Sequence, residues 1–92
     1  MIISFRHKGL RAFWETGSKA GIQHSHAARL RLILQRLDAA KQVQDADFHG
    51  ARLHPLKGDM KGLWSLTVNG NWRITFGFED GDAYVVDYVD YH

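Results

Sequence analysis

The chain has 92 residues, of which 45% are hydrophobic and three are Trp, so its composition predicts a single domain over residues 1–92 with one core. It contains no Cys, which excludes disulfide bonds, thiolate nucleophiles and zinc-thiolate sites. The apolar run at the start is too short for a signal sequence, and no apolar run approaches the length of a membrane span. We therefore expect a soluble protein of the cytoplasm.

The net charge is only +2, but the charges are unevenly distributed. Residues 1–50 contain eight Lys or Arg and four acidic residues, whereas residues 51–92 contain four and six. The first half is therefore the basic half. This bias is compatible with a polyanionic partner, although many ordinary domains share it.

Residues 1–17 predict a short strand followed by a helix. The β-prone run at residues 2–5 is expected to form an edge strand or the first strand. The helix is predicted from Arg6 to Thr16, and Gly17 provides the C-terminal stop that helices prefer. Three apolar residues at helical spacing, expected to pack in the core, are Leu10, Phe13 and Trp14.

A second helix is predicted after a short connector, with Ser25 as its cap and its end at Ala40 or Lys41. Its apolar stripe, expected to cover the sheet, consists of Ala27, Leu30, Ile33, Leu34 and Leu37. Basic residues outside this stripe could contact phosphate, but a solvated outer face is the favoured interpretation. They are Arg29, Arg31 and Arg36.

The segment from Ala51 to Asp59 is interpreted as a pinned loop. Pro55 and Gly58 keep it out of regular structure, so that His54 and Lys57 are held in place. Catalytic groups commonly lie on loops that a scaffold fixes, although a lone His beside a Pro is more often structural.

The stretch from Leu63 to Phe78 reads as a β-hairpin, because apolar and polar residues alternate on both sides of an Asn-Gly pair. If Asn71 is a third loop residue in a left-handed conformation, the apolar residues of both strands share one face. The expected pairs are then Val68 with Trp72, Leu66 with Ile74, and Trp64 with Phe76. The opposite face is polar and carries Ser65, Thr67, Arg73 and Thr75.

A second turn at residues 79–82 leads into the last strand, from Ala83 to about Val89. A two-residue loop would pair Phe76 with Val85 and Trp72 with Val89. It would also place Arg73 across from Tyr88 and Asn71 across from Asp90. This register puts Asp87 on the apolar side, which is its weakness. The predicted fold is α+β, in the order β-α-α-β-β-β, with both helices on the apolar face of an antiparallel sheet.

The stretch Asp90-Tyr91-His92 follows the last predicted strand and lies beside Arg73 in this arrangement. Cleavage of RNA without a metal needs a base for the 2′-hydroxyl, a cation for the phosphate charge, and an acid for the departing 5′-oxygen. His and Asp can exchange protons, Arg and Lys can hold the phosphate charge, and Tyr can stack on a base. Without further information, disorder of His92 and simple packing of Tyr91 are equally good interpretations.

Five stretches resemble the HigB branch of the RelE/ParE toxins, which belong to type II toxin-antitoxin systems. They are Leu53–Gly58 (LHPLKG), Trp64–Val68 (WSLTV), Asn71–Phe76 (NWRITF), Gly81–Tyr84 (GDAY) and Asp90–His92 (DYH). The resemblance spans the whole chain and is most specific in the C-terminal half, whereas the helical half departs more freely.

This resemblance implies a RelE-like toxin that enters the ribosomal A site, cleaves the mRNA there and inhibits translation, without a metal or cofactor. It also implies a helix-turn-helix antitoxin similar to HigA, with operator DNA reached only through the antitoxin complex and no membrane partner. The active-site pattern falls on six residues, with Asn71 close to it: His54, Lys57, Arg73, Asp90, Tyr91 and His92. Of these, Lys57 and Arg73, together with Asn71, would contact the RNA.

The expected mechanism is in-line attack by the 2′-oxygen, which leaves a cyclic phosphate. His92 or Asp90 would handle one proton and His54 another, while Arg73 and Lys57 stabilise the phosphate; which group is base and which is acid stays open. Two other functions compete with this one. The chain could be a gyrase-directed toxin similar to ParE without nuclease activity, or a non-catalytic module that binds RNA or protein.

Overall fold

The computed structural model describes residues 1–91 and shows two helices packed against one face of a four-stranded antiparallel sheet. The strands lie side by side in the order in which they occur in the chain. This architecture confirms the predicted α+β fold, with two helices on an antiparallel sheet. The predicted order β-α-α-β-β-β is not observed, because the first strand of the sheet is His54–Pro55 and not the N-terminal run. The segment from Ala51 to Asp59, expected to stay out of regular structure, therefore contributes a short edge strand and a 3-10 turn. Among the described residues, no helix combines the length and the apolar character needed to cross a membrane. The helices and strands are α1 Lys8–Thr16, α2 Ala27–Ala39, β1 His54–Pro55, β2 Trp64–Asn69, β3 Trp72–Glu79 and β4 Asp82–Asp90.

The N-terminal segment lies along the free edge of β4 and runs parallel to it. It forms only two isolated bridges, Ile2 with Ala83 and Phe5 with Val86, rather than the predicted strand. Between these bridges the side chain of Ser4, and not its backbone, accepts a hydrogen bond from the Val85 N–H at 2.9 Å. The predicted position at a sheet edge is therefore right, but a regular ladder does not form.

Helix α1 begins at Lys8, two residues later than predicted, because His7 is its N-cap. The His7 Nδ1 accepts a hydrogen bond from the Leu10 N–H at 3.0 Å, which satisfies one of the free donors at the helix start. Gly17 ends the helix in the left-handed conformation, with φ +81° and its N–H bonded to the Phe13 carbonyl. The predicted glycine stop is confirmed.

Helix α2 begins differently from the prediction. A 3-10 turn, His24–His26, leads into it, and its first helical residue is Ala27. Ser25 lies within that turn and does not cap the helix, so this prediction is wrong. The helix ends at Ala39 because Ala40 is extended, with ψ 133°. The whole predicted stripe is buried, with exposures between 0% and 6% for Ala27, Leu30, Ile33, Leu34 and Leu37.

The β2–β3 hairpin confirms two of the three predicted pairs, Trp64 with Phe76 and Leu66 with Ile74. The third is wrong, since a bulge at Val68 brings Trp72 opposite Asn69. The left-handed residue of the turn is Gly70, with φ +56°, and not Asn71. The extra residue thus lies in the first strand instead of the loop, and it still keeps the apolar residues on one face.

The β3–β4 hairpin has the predicted two-residue turn, Asp80–Gly81, but a second bulge changes its register. Two residues, Val85 and Val86, lie opposite Phe76, and Val85 adopts a left-handed φ of +48°. The predicted pairs Arg73 with Tyr88, Trp72 with Val89 and Asn71 with Asp90 are therefore wrong. The observed pairs are Thr75 with Asp87, Ile74 with Tyr88, Arg73 with Val89, and Trp72 with Asp90.

The sheet consequently has two distinct faces. The inner face packs on the helices and includes Leu66, Ile74, Phe76, Val86 and Tyr88, each at most 4% exposed. The outer face points away from the helices. It carries Ser65, Thr67, Arg73, Thr75 and Asp87.

Gly9 of α1 lies against the connector between the helices, and this contact generates a test of the helix packing. A Cβ at Gly9 would lie 2.7 Å from both the Cα and the carbonyl oxygen of Gly21. Ala ordinarily stabilises a helix relative to Gly by about 1 kcal/mol. Here we expect Gly9→Ala to lower the free energy of unfolding by about 1–3 kcal/mol, because the backbones must move apart.

Urea denaturation measures this change. The control is Lys8→Ala at the neighbouring exposed position, which should change the free energy of unfolding by less than about 0.5 kcal/mol. A Gly9→Ala protein as stable as the wild type would show that the close approach of α1 and the connector is wrong.

Candidate active site

The pairings of the sheet bring a row of polar side chains together across the outer face. His54 pairs with Ser65, Ser65 with Thr75, and Thr75 with Asp87, so one residue from each strand lies in this row. The next row towards the β2–β3 turn holds Arg73, between Thr67 and Val89. His54 and Arg73 therefore lie on the same face, in adjacent rows.

Arg73 is half-buried and is held by the backbone of the adjacent turn. Its Nη1 donates hydrogen bonds to the Gly70 carbonyl at 2.6 Å and to the Trp72 carbonyl at 3.0 Å. These two bonds use one of the three guanidinium nitrogens. The side chain is thus oriented at low entropic cost, and its charge stays available to an anion on the outer face.

His54 is exposed, and the backbone sets the tautomer of its ring. Its Nδ1 lies 3.0 Å from the Arg52 carbonyl oxygen, which can only accept a hydrogen bond. In the neutral ring the proton is therefore assigned to Nδ1, and the lone pair is on Nε2. Such a ring can accept a proton from a substrate at Nε2. Lys57 is also exposed and lies directly before the 3-10 turn Gly58–Met60.

Tyr91 is half-buried and connects the end of β4 to two other segments. Its N–H donates to the Asn71 carbonyl at 2.8 Å, and its Oη lies 3.2 Å from the Sδ of Met60. The β1–β2 loop thus reaches the end of β4. The sequence gives no indication of this contact, because a single Met in a glycine-rich loop such as that of Met60 forms no recognisable pattern.

Ser65 and Thr75 are 0% and 1% exposed, although both belong to the outer face. Their burial shows that side chains cover the middle of this face. Leu63 contributes to the cover, since a Cβ at Gly77 would lie 3.6 Å from its Cδ2. The predicted polar face is therefore open only in part, since His54 is exposed and Arg73 is half-buried.

Asp90 lies on the inner side of the strand end rather than beside Arg73, because it pairs with Trp72. Its carboxylate is close enough to contribute to the raised pKa of Tyr88, whose largest cause is burial of the phenol. Asn71 is exposed in the β2–β3 turn, and its carbonyl holds Tyr91. Of the remaining predicted site residues, His92 lies outside the described part of the chain.

The ion pairs seen within residues 1–91 lie away from the cationic part of this face. They join the N-terminal amine to Asp82, Arg6 to Asp87 and Arg11 to Glu15, at 3.2 to 3.9 Å. None of them involves Lys57 or Arg73. Within residues 1–91, no ion pair to a carboxylate therefore neutralises Lys57 or Arg73. Their positive charges favour binding of an anionic ligand.

The hydroxyl of Ser65 gives a test of the buried outer face. Its Oγ is buried and makes no hydrogen bond within the described structure. Removing such a group relieves a desolvation penalty, so Ser65→Ala should leave the free energy of unfolding unchanged or raise it by up to about 1 kcal/mol. Ser4→Ala is the opposite case, because its hydroxyl holds the Val85 N–H, and it should cost about 1 kcal/mol.

Chemical denaturation of both variants measures the difference. A loss of more than about 1 kcal/mol in Ser65→Ala would mean that the hydroxyl has a partner after all.

Two helices on a four-stranded antiparallel sheet, with a cationic and histidine-bearing outer face, are features expected of a RelE-like toxin. A family model described as the RelE-like toxin of the type II toxin-antitoxin system HigB matches residues 3–92. The chain therefore belongs to the family of HigB-like toxins, and the resemblance drawn from its sequence is confirmed. A family of this kind implies an antitoxin as partner.

Two relatives match over essentially the full length of the chain. Endoribonuclease HigB of Proteus vulgaris is 47% identical over 92 residues, which cover all of both chains. Toxin HigB-1 of Vibrio cholerae serotype O1 is 34% identical over 94 residues, which cover all of this chain and 98% of the relative. The similarity thus includes both the helical half and the sheet.

Proposed function

We propose that this toxin is a ribosome-dependent endoribonuclease that cleaves mRNA in the ribosomal A site and so inhibits translation in the cytoplasm. One observation carries the proposal: His54, with an Nε2 free to accept a proton, and the oriented guanidinium of Arg73 share the outer face. The name of the Proteus vulgaris relative supports the endoribonuclease part. The cognate partner proposed is a helix-turn-helix antitoxin similar to HigA, through which operator DNA is contacted.

The proposed reaction is a transesterification that needs no metal. The 2′-oxygen attacks the phosphorus as its proton passes to a base, and His54 is suited to this role through Nε2. The new 2′-O–P bond forms while the bond from phosphorus to the 5′-oxygen breaks, which leaves a 2′,3′-cyclic phosphate. His92 is the first candidate for returning a proton to the 5′-oxygen, and Asp90 is the second, because it lies on the inner side of the strand end and not beside Arg73.

The negative charge that builds up on the phosphate is the main barrier that the protein can lower. Arg73 and Lys57 are assigned to this charge, because neither is engaged in an ion pair within residues 1–91. Tyr91 and Asn71, which are joined by a hydrogen bond, are assigned to contacts with the RNA. The anchored position of Tyr91 suits it to stacking on a base.

The ribosome is proposed as a partner because the site does not enclose its substrate. His54 is exposed on the sheet face and Lys57 is exposed in the loop after β1, so the protein alone has few means of orienting the 2′-oxygen in line with the leaving group. Correct alignment of such groups is worth several kcal/mol of the barrier. An mRNA held in the A site would supply this alignment.

Arg73→Ala tests the assignment of the phosphate charge. Losing one preorganised stabiliser of developing charge costs ~100 to 1,000-fold in rate, and we expect a loss of this size with the fold retained. The measurement is single-turnover cleavage of a short mRNA on programmed ribosomes with an empty A site. Arg31→Ala removes the same charge from an exposed position of α2 and should cleave like the wild type. Equal cleavage by the Arg73→Ala and Arg31→Ala proteins would make Arg73 an ordinary surface residue.

His92→Gln tests the proton transfer assigned to the end of the chain. Gln keeps a polar side chain of similar length but cannot titrate, so the cleavage rate should fall by ~100-fold or more with little change in melting temperature. The matched control is His49→Gln, at an exposed loop position. Wild-type rates in the His92→Gln protein would remove His92 from the mechanism.

The same assay decides between the functions. Wild-type protein should cut ribosome-bound mRNA at a defined position and cut free mRNA poorly. Absence of cleavage under every ribosomal condition would sink the nuclease proposal. A gyrase-directed toxin or a non-catalytic binding module would then replace it, and inhibition of DNA supercoiling by gyrase would separate these two.

A further inference from the structure

His26 is a buried polar residue that the proposed reaction does not use. It is 5% exposed, within the 3-10 turn before α2, and its Nδ1 lies 2.6 Å from the Oη of Tyr88. The Gln23 N–H donates to the same Oη at 3.4 Å. Since an N–H can only donate, the Tyr88 oxygen accepts from Gln23, and we assign its own proton to the bond with His26, whose Nδ1 then carries the lone pair. Burial raises the pKa of Tyr88, which keeps this proton in place.

An aromatic cluster surrounds this hydrogen bond and joins four parts of the fold. Trp72 stacks on Tyr88 with ring centroids 4.5 Å apart and planes 28° apart. His26 contacts Trp72 edge to face at 5.6 Å, and His7, the cap of α1, contacts Tyr88 in the same way at 5.4 Å. The cluster therefore links the start of α1, the connector, the start of β3 and the end of β4.

The position of the cluster in the sequence connects it with the site. Trp72 directly precedes Arg73, and Tyr88 comes two residues before Asp90. Tyr88 is also the last fully buried residue of β4, since Val89 and Tyr91 are half-buried and Asp90 is exposed. Tyr88 is thus the last residue whose burial holds β4 in place before the residues that are assigned to the reaction.

The Tyr88 ring is only 4% exposed, but one side of the aromatic cluster faces an open groove. Trp72 and Tyr88 border an open cavity of about 620 Å³, whose other wall is formed by the connector and by His7. Packing restricts the position of the Tyr88 ring, and the buried hydrogen bond adds a defined direction and distance for its hydroxyl. The short bond to His26 is therefore the element best suited to fix the Tyr88 ring.

We propose that His26 is a positioning residue for the active site, which acts by fixing Tyr88 and thereby the place of Asp90 and Tyr91 relative to Arg73. This role rests on the proposed nuclease function but has its own structural consequence. If the bond is lost, the end of β4 moves more freely, and the hydrogen bond from the Tyr91 N–H to Asn71 opens more often. A misplacement of reacting groups by about 1 Å can cost ~100-fold in rate.

Three single variants, one double variant and a matched control test the proposal. Tyr88→Phe removes only the hydroxyl, and His26→Leu removes the acceptor while keeping bulk at the δ position. His26→Asn keeps an acceptor close to the place of Nδ1 and should restore function in part. The matched control is Tyr84→Phe, which removes a hydroxyl from an exposed residue of the same strand.

Cleavage on programmed ribosomes is the first measurement, carried out well below the melting temperature of every variant. Tyr88→Phe and His26→Leu should each lower kcat by ~10 to 100-fold with KM for the ribosome unchanged, because alignment and not binding is lost. The double variant should be no worse than either single one, since both remove the same bond. Tyr84→Phe should behave as the wild type.

Amide hydrogen exchange is the second measurement, and it does not depend on catalysis. The Tyr91 amide should exchange ~10-fold faster in Tyr88→Phe than in the wild type, relative to the amide of Leu66 in the core. A uniform rise at both amides would reveal general destabilisation and would overturn the positioning role, as would wild-type exchange at Tyr91. If the wild type itself does not cleave, the proposed function fails, and the exchange at Tyr91 still decides whether His26 fixes the strand end.

Discussion

The bulge at Val85 is the constraint on which the two-faced sheet depends. Without it, the alternation along β4 would direct the Asp87 carboxylate towards the helices and Tyr88 away from them. Burying a carboxylate costs several kcal/mol, whereas a left-handed Val costs about 1–3 kcal/mol. The strained backbone at Val85 therefore costs less free energy than burial of the Asp87 carboxylate would. It allows Asp87 to reach Arg6 on the outside and Tyr88 to reach His26 on the inside.

The same bulge decides how the end of β4 meets the rest of the molecule. With Arg73 opposite Val89 and Trp72 opposite Asp90, consecutive residues at the strand end point to opposite sides. Tyr91 is held from the outer side by Met60, and Tyr88 from the inner side by His26. Side-chain contacts on both faces therefore hold the four residues 88–91 at the strand end. A strand end without such contacts would be expected to fray.

The sequence predicts the elements of this fold better than their registers. Periodicity finds both helices and the three long strands, because burial on one face imposes a regular spacing of apolar residues. Gly17 and the turn Asp80–Gly81 are found because each has a conformational requirement that few residues meet. The bulges at Val68 and Val85 are missed, since β-branched residues give no local signal for an irregular backbone. The awkward position of Asp87 in a regular register was the one indication of the second bulge.

For the candidate site as well, the sequence predicts which residues matter but not the contacts that orient them. The resemblance to the HigB branch singles out His54 and Arg73, with His54 expected on a pinned loop and Arg73 on the polar face of a predicted strand. The bonds that orient them come from the backbone carbonyls of Arg52, Gly70 and Trp72, and every residue type has such a carbonyl. No sequence pattern can reveal these contacts, because the fold alone brings them within reach.

The core and the candidate site are coupled wherever one residue of a strand packs in the core and the next belongs to the site. Trp72 packs inside while Arg73 projects outside, and a shift of β3 caused by altered packing moves both. A domain of this size has few layers between core and site, so truncation of Trp72 should affect stability and chemistry together. The N-terminal segment contacts β4 near its start, at Ala83 and Val86, whereas Arg73 pairs with Val89 near the end of that strand. Stability can be adjusted there with less effect on the outer face.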